Sequence, residues 1–197
     1  MTNPFRIAIA GLGTVGGGVV KALAARRDEL SGRAGRPLRL TAVSARDKTK
    51  TRGFDLPVWH DDPLDLAQGD ADVVVELIGG DEGIARQLVE TALTNRKHVV
   101  TANKALLAKH GLALAALAER NGVTLKFEAA AAGGIPIVKA LREGLIAHGV
   151  FAVKGILNGT CNYILTEMET SGRGFAEVLK DAQALGYAEA DPTLDVG

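Results

Sequence analysis

Three groups of residues have types and spacing suited to chemistry. Gly11-Leu12-Gly13-Thr14-Val15-Gly16 is a G-x-G-x-x-G turn between the apolar run Phe5–Ala10 and a helical pattern that begins at Val15. In that context Gly11 permits a tight turn, Gly13 lets the backbone approach a pyrophosphate, and Gly16 lets helix and strand pack closely. The helix end adds unpaired N–H groups and a positive dipole end. A glycine turn without a ligand is the plain alternative; the placement between strand and helix favours a dinucleotide, nicotinamide ahead of flavin. The second group is Thr101-Ala102-Asn103-Lys104, after the apolar run His98–Thr101. Ligands of open α/β sheets bind at the carboxyl ends of strands. A lysine in a first helical turn opposes the dipole and gains little structurally. Its ammonium can donate to a carbonyl, or to the alkoxide of a hydride transfer. Asn103 is suited to capping the helix or touching the nicotinamide. The third group, Val43-Ser44-Ala45-Arg46-Asp47 with Lys48, Lys50 and Arg52, follows the second apolar run. An acid there suits a ribose 2′-hydroxyl and an arginine a 2′-phosphate. Ser44 and Arg46 point to NADP; Asp47 keeps NAD open.

These residues need a scaffold of alternating strands and helices. Strands are expected at Phe5–Ala10, Leu38–Ser44, Asp72–Ile78, His98–Thr101 and Val123–Glu128. Helices are expected at Val15–Leu30, Pro63–Gly69 (capped by Asp61 or Asp62), Glu82–Thr94 and Ala105–Asn121, with Ser31–Pro37 and Asp47–Leu56 as loops. Alternation of this kind implies α/β architecture: a doubly wound parallel sheet, the Rossmann arrangement, over residues 1–130. The pattern changes over residues 131–197. There a small-residue run Ala129–Gly134 precedes expected helices at Pro136–Ile146, Asn162–Thr170 and Phe175–Leu185, one strand at Phe151–Leu157 and an acidic loop Gly186–Gly197. This reads as the start of a second, α+β domain for substrate and dimerisation. A lone strand there needs a partner from elsewhere.

The 197 residues are 47% hydrophobic, enough for a sizeable core, and 23 basic residues balance 23 acidic ones. Such a balance argues against nucleic acid and membrane surfaces as partners and for a small molecule or another copy of the chain. No run nears the roughly 20 apolar residues of a membrane span. Ile7–Ala10 is too short for a signal peptide. The single cysteine, Cys161, cannot form an internal disulfide, which fits a reducing cytoplasm.

Beyond these readings, the chain resembles the homoserine dehydrogenase family. The resemblance rests on Gly11–Gly16, Val75-Glu76-Leu77-Ile78-Gly79-Gly80, Thr101–Lys104, Phe127-Glu128-Ala129-Ala130, Gly133-Gly134-Ile135-Pro136, the segment from Gly155 to Tyr163, and Leu185-Gly186-Tyr187-Ala188-Glu189-Ala190-Asp191-Pro192, in order along nearly the whole chain. It implies NAD(P)-dependent interconversion of L-homoserine and L-aspartate 4-semialdehyde, on the route to threonine and methionine. It implies cofactor contacts at Gly11, Leu12, Gly13, Thr14, Val15 and Gly16 and around Thr101, Asn103 and Lys104, with Lys104 catalytic. It also implies substrate contacts at Gly159, Thr160, Gly186, Tyr187 and Glu189, a homodimer in the full-length protein, and a sodium ion on main-chain oxygens of Glu128, Ala131, Gly133 and Ile135. Glu189 suits an α-ammonium through a charge-assisted bond, with Asp191 and Asp195 in support. Ala131-Ala132 departs from the Val-Gly pair common in the family, but carbonyl ligation depends little on side chain. The family places a further aspartate and a catalytic lysine beyond the Glu189 motif. The chain stops at Gly197, so a truncated family member is expected.

Two other readings are open. One is a fragment that binds dinucleotide without turnover. The other is a semialdehyde dehydrogenase using Cys161 as nucleophile, which needs an activating base that Asn158-Gly159-Thr160-Cys161-Asn162 does not contain.

Overall fold

The structure, a computed structural model, describes residues 3–154 and 159–188. The chain divides into two compact units, Met1–Ile146 and Ala147–Gly197.

The first unit is built on one parallel sheet. Its strands are β1 (Phe5–Ala10), β2 (Leu38–Ser44), β3 (Val58–Trp59), β4 (Val73–Glu76), β5 (His98–Thr101) and β6 (Leu125–Lys126), in the spatial order β3-β2-β1-β4-β5-β6. The helices are α1 (Thr14–Ala25), α2 (Arg27–Ala34), α3 (Leu64–Gln68), α4 (Ile84–Thr94) and α5 (Lys104–Arg120), followed by the short α6 (Ile137–Lys139). The order reverses at β1, which has β2 on one side and β4 on the other, so the crevice at the sheet's switch point opens beyond Ala10 and Glu76.

Period-two alternation sorts the sheet residues to two faces. Ala8, Ala10, Val74 and Val99 join Leu66, Leu88, Leu93, Leu106 and Leu114 in one buried cluster. The two alanines leave room for the helix leucines, each of which contributes roughly 1.5–3 kcal/mol on burial. Ile7, Ile9, Val73 and Val75 pack on the other face with Val20 of α1 and Val43 of β2. The β1–β2 register shifts at Ile7/Ala8, leaving Thr41 as the extra residue; its hydroxyl donates to the Ile7 carbonyl at 3.2 Å.

Several expected boundaries move. The single helix over Val15–Leu30 is two helices. Arg26, at φ −118°, ends α1, and its guanidinium clamps Glu29 with bonds of 2.6 and 2.9 Å at the start of α2. Residues 31–34, expected in a loop, continue α2 until Gly35 takes a left-handed conformation. The two-residue β3 is too short for any periodicity to reveal. Asp62 does bond the amide of Leu64 at the start of α3, at 2.9 Å. Strands β4 and β6 are shorter than expected, because the chain turns to place Glu76 and Glu128 as caps. Glu128 lies in a 3-10 turn, Glu128–Ala130, and its carboxylate accepts from the amides of Val138 and Lys139 at 3.0–3.3 Å. The helix expected over Pro136–Ile146 is formed only as α6 and a π turn, Ala140–Gly144.

In the second unit α7 (Gly159–Ser171) and α8 (Phe175–Ala184) pack around Ile164, Val178, Ala182 and Ala188. Arg173, in the connection, bonds Asp181 at 2.5 Å and Glu167 at 3.1 Å. The strand expected over Phe151–Leu157 is not formed at residues 151–154, where Phe151 is fully exposed. No strand pairs with this segment among the described residues, and a strand without a partner leaves its backbone groups to solvent; residues 155–157 lie outside the described residues. The domain boundary expected after residue 130 differs from the packing division after Ile146. No helix among the described residues is long and apolar enough to cross a membrane.

Candidate functional site

The glycine turn sits at the switch point. The Gly11 amide donates to the Ser44 carbonyl at 2.8 Å, and the Leu77 amide donates to the Ala10 carbonyl at 2.8 Å, so the turn is pinned between the ends of β2 and β4. Gly11 has φ +98°, and a Cβ on it would stand 2.4 Å from the Leu77 carbonyl oxygen. Leu12 is buried beneath the turn, while Val15 is 56% exposed above it. Gly13 is different: a Cβ there meets nothing within 4 Å, so internal packing does not require this glycine. The open space leaves the main chain accessible from the crevice at this point. Gly13 begins α1 without a side-chain cap, and the first turn carries no acidic residue. The N–H groups of Thr14, Val15 and Gly16 lack intrahelical acceptors and face the crevice with the positive end of the dipole. The site thus fits a pyrophosphate.

At the end of β2, Ser44 is buried and Arg46 exposed. Asp47 closes a small turn by accepting from the Thr49 amide and hydroxyl at 2.8 and 2.7 Å, bonds that hold its carboxyl below the ordinary aspartate range. Arg52 lies 5.4 Å over the ring of Trp59 and donates to the Lys50 carbonyl at 2.8 Å and to the Asp47 carbonyl. Arg46, Lys48 and Lys50 are all exposed on this loop.

The ends of β4 and β5 are joined by a circuit that sequence reasoning missed. Glu76 is fully buried. One carboxylate oxygen accepts from the Ile78 and Gly79 amides at 2.8 and 3.0 Å; the other accepts from the Thr101 hydroxyl at 2.5 Å. Thr101 Oγ1 accepts from the Asn103 amide at 3.0 Å. The Asn103 side chain donates to the Gly80 carbonyl at 2.6 Å and caps α5 by accepting from the Leu106 amide at 3.1 Å. Thr101 and Asn103, expected among the cofactor contacts, therefore hold the loop after β4 against the start of α5. The one signal in the sequence was an acid closing the apolar run Val73-Val74-Val75. Lys104 is exposed in the first turn of α5, directly after this circuit.

A second tie links the same loop to α5. Lys109 bonds Asp81 and Glu82 at 3.0 Å, and His110 and Arg86 bond Glu82 at 2.9 and 3.0 Å. These partners, Lys109 foremost, lower the Glu82 carboxyl to about 2.

The four positions expected to offer carbonyls to sodium lie on the turn before α6, where Ala132 and Gly134 have φ of 53° and 87°. The Glu128 and Ile135 carbonyls already accept from the Ala131 and Ile137 amides at 3.4 and 2.7 Å. A carbonyl has two lone pairs, so each keeps one for a cation. Among the described residues no cluster of His, Cys, Asp and Glu side chains could hold a metal.

In the second unit, the Thr160 hydroxyl donates to the Tyr187 carbonyl at 2.6 Å, and the Tyr163 and Tyr187 rings lie 4.9 Å apart. Gly186, at φ +78°, terminates α8: its amide bonds the Gln183 carbonyl and the Tyr187 amide bonds that of Ala182. Gly159, Thr160, Gly186 and Tyr187 thus meet where α7 begins and α8 ends. Glu189, Asp191, Asp195 and Asn158 lie outside the described residues.

Comparison with known proteins bears on this geometry. The family model described as "Homoserine dehydrogenase, NAD binding domain" matches residues 11–128, and the one described as "Homoserine dehydrogenase" matches residues 136–197. Homoserine dehydrogenases of Neisseria gonorrhoeae and Bacillus subtilis are 52% and 47% identical to the chain over 98% and 97% of its length; the chain spans 45% of each. A solved homoserine dehydrogenase from Thiobacillus denitrificans superposes with a TM-score of 0.91 at 50% identity, over 98% of this chain and 45% of that one. A hyperthermophilic archaeal homoserine dehydrogenase in complex with NADPH superposes with a TM-score of 0.83 at 25% identity, over 98% and 65%.

Proposed function

The chain belongs to the homoserine dehydrogenase family and carries its NAD-binding domain, and from that premise we propose that it serves the interconversion of L-homoserine and L-aspartate 4-semialdehyde with NADP as preferred cofactor. The observation that carries the reading is the Gly13 position: open space above an uncapped helix start, at the switch point of a parallel sheet. Gly11–Gly16 and α1 hold the pyrophosphate through backbone amides. Ser44 and Arg46, with Lys48 and Lys50 on the same loop, favour the adenosine 2′-phosphate. When bound, the nicotinamide exchanges a hydride with the carbon that bears the substrate oxygen.

Lys104 is proposed as the catalytic group. Its ammonium holds the substrate's carbonyl oxygen and stabilises the negative charge that builds there. Gly159, Thr160, Gly186, Tyr187 and Glu189 bind the amino acid, with the carboxylate of Glu189 on its α-ammonium. The carbonyls of Glu128, Ala131, Gly133 and Ile135 would hold a sodium ion that stiffens the turn before α6. The same reading puts the reaction in the cytoplasm, on the route to threonine and methionine, in a homodimer whose nucleotide domain covers residues 1–130.

The test pairs two measurements. Titration of the chain with NADPH and NADH reports binding, and a homoserine oxidation assay beside a full-length relative reports turnover. Tight NADPH binding that is lost in Gly13→Asp supports the cofactor site; unchanged affinity in that variant sinks it. Normal turnover in a full-length relative carrying the equivalent of Lys104→Ala would remove the catalytic role of Lys104. Binding without turnover assigns this chain nucleotide binding alone. Phosphate-dependent oxidation of the semialdehyde to an acyl phosphate, with reduction of NADP and loss of this activity in Cys161→Ala, would favour the semialdehyde dehydrogenase reading.

A further inference from the structure

We infer that Glu76 and Thr101 act as one positioning unit for the nucleotide site, and that the Thr101 hydroxyl works through Glu76 rather than by touching the cofactor. The inference deepens the cofactor reading above and rests on it. Both side chains are 0% exposed, and Thr101 Oγ1 is already engaged twice, as donor to Glu76 and as acceptor from the Asn103 amide. A hydroxyl has one proton, and here the carboxylate takes it. No lysine, arginine or histidine among the described residues pairs with Glu76; its partners are two amides and one hydroxyl.

A buried carboxylate satisfied only by neutral donors is costly unless every bond is kept. Its position explains what that cost secures. The Ile78 and Gly79 amides belong to the loop that leaves β4, and Thr101 closes β5, 25 residues away. The carboxylate therefore fixes the loop after β4 to the segment that delivers Asn103 and Lys104. Asn103 completes the circuit through the Gly80 carbonyl. Glycines 79 and 80 both have φ of 86°, so this loop has little conformational restraint of its own. Rigid crevice walls lower the ordering cost of binding a dinucleotide.

Substitutions separate positioning from contact. In Glu76→Gln the amide oxygen can still accept from Ile78 and Gly79. Its NH2 group, however, can only donate to the remaining lone pair of Thr101 Oγ1, which reverses the bond and leaves the threonine proton without its acceptor. Thr101→Val removes the hydroxyl at near-constant volume, and Thr101→Ser keeps it. The experiment is NADPH titration by calorimetry of the 197-residue chain and these variants, with Glu76→Gln/Thr101→Val as the double variant, alongside thermal melting and amide exchange at Ile78 and Gly79.

One positioning unit predicts that Glu76→Gln and Thr101→Val each weaken NADPH binding by about tenfold, that the double variant is no weaker than either, and that Thr101→Ser stays within about twofold. The Ile78 and Gly79 amides exchange faster in Glu76→Gln and Thr101→Val and stay protected in Thr101→Ser. Loss of affinity in Thr101→Val with none in Glu76→Gln means direct contact and overturns the inference. So do additive losses, and so does a lowered melting temperature with unchanged affinity, which marks a merely structural pair. If Glu76→Gln fails to fold, the valine and serine variants of Thr101 decide through the same exchange readout: equal protection in both overturns the inference. A wild-type chain that binds no NADPH overturns the cofactor reading itself, and the pair's role with it.

Discussion

A methyl group on Gly16 would stand 1.9 Å from the carbonyl oxygen of Gly11, because the first turn of α1 rests directly on the backbone of the glycine turn. Nothing flexible is available to move, since the obstructing atom is main chain. Gly13, three residues earlier, has open space at the same position. The two glycines therefore fail in different ways. Gly16→Ala is expected to destabilise the fold by at least about 3 kcal/mol. Gly13→Ala is expected to change stability by less than about 1 kcal/mol yet weaken NADPH binding at least about tenfold, since its methyl group occupies the phosphate's approach. Thermal melting and NADPH titration of both variants check this; a stable Gly16→Ala or a tightly binding Gly13→Ala contradicts it.

At the opposite end of the sheet, Arg6 joins β1 to β4 through Asp72. Its guanidinium bonds both carboxylate oxygens at 2.7 and 3.1 Å, and its amide adds a bond of 2.8 Å. The Arg6 guanidinium, above all, lowers the Asp72 carboxyl to about 2, against a burial penalty that acts the other way. A carboxyl lowered on folding stabilises the protein above its unfolded-state pKa, and that stability disappears as pH falls through the folded value. The window here is from the ordinary aspartate range near 4 down to about 2. With partial exposure discounted, the lowering of the Asp72 carboxyl contributes roughly 1–2 kcal/mol. Asp72→Asn is therefore expected to be less stable than wild type by that amount near neutral pH, with the gap closing between about pH 4 and pH 2. Urea unfolding across that range measures it, and a gap independent of pH contradicts the assignment.

The parts of the fold legible in the sequence were those set by local pattern. Phe5–Ala10, Leu38–Ser44 and His98–Thr101 are apolar runs bounded by turn residues, and each forms a strand with those limits. The Gly11–Gly16 turn was legible because its chemistry is local to six residues. The break at Arg26 was not, since a guanidinium clamp leaves the hydrophobic period unchanged. Nor was the role of Glu76, which depends on Thr101 being brought beside it by the pairing of β4 with β5. Periodicity also overstates strands that lack a partner, as at Phe151–Lys154. Of the residues expected at the substrate, Thr160 and Tyr187 are joined by a hydrogen bond that a separation of 27 residues conceals.

Helix α4 ends on a residue ill suited to its conformation. Asn95 is the C-cap, and Arg96 follows with φ +55°. The Arg96 amide bonds the Leu93 carbonyl at 3.1 Å and the Lys97 amide bonds that of Ala92 at 2.9 Å, the paired pattern that requires a left-handed residue after the cap. Helix α5 ends in the same way, but there the residue is Gly122, at φ +68°. A side chain in the left-handed region costs roughly 1 kcal/mol that glycine does not incur, partly offset by glycine's greater freedom in the unfolded chain. The Arg96 side chain is exposed, so its removal forfeits no packing. Arg96→Gly is expected to stabilise the first unit by about 0.5 kcal/mol and Gly122→Ala to destabilise it by about 1 kcal/mol. Urea midpoints of the two variants decide: a loss of stability in Arg96→Gly means that the arginine makes an interaction in solution that outweighs the strain of its backbone.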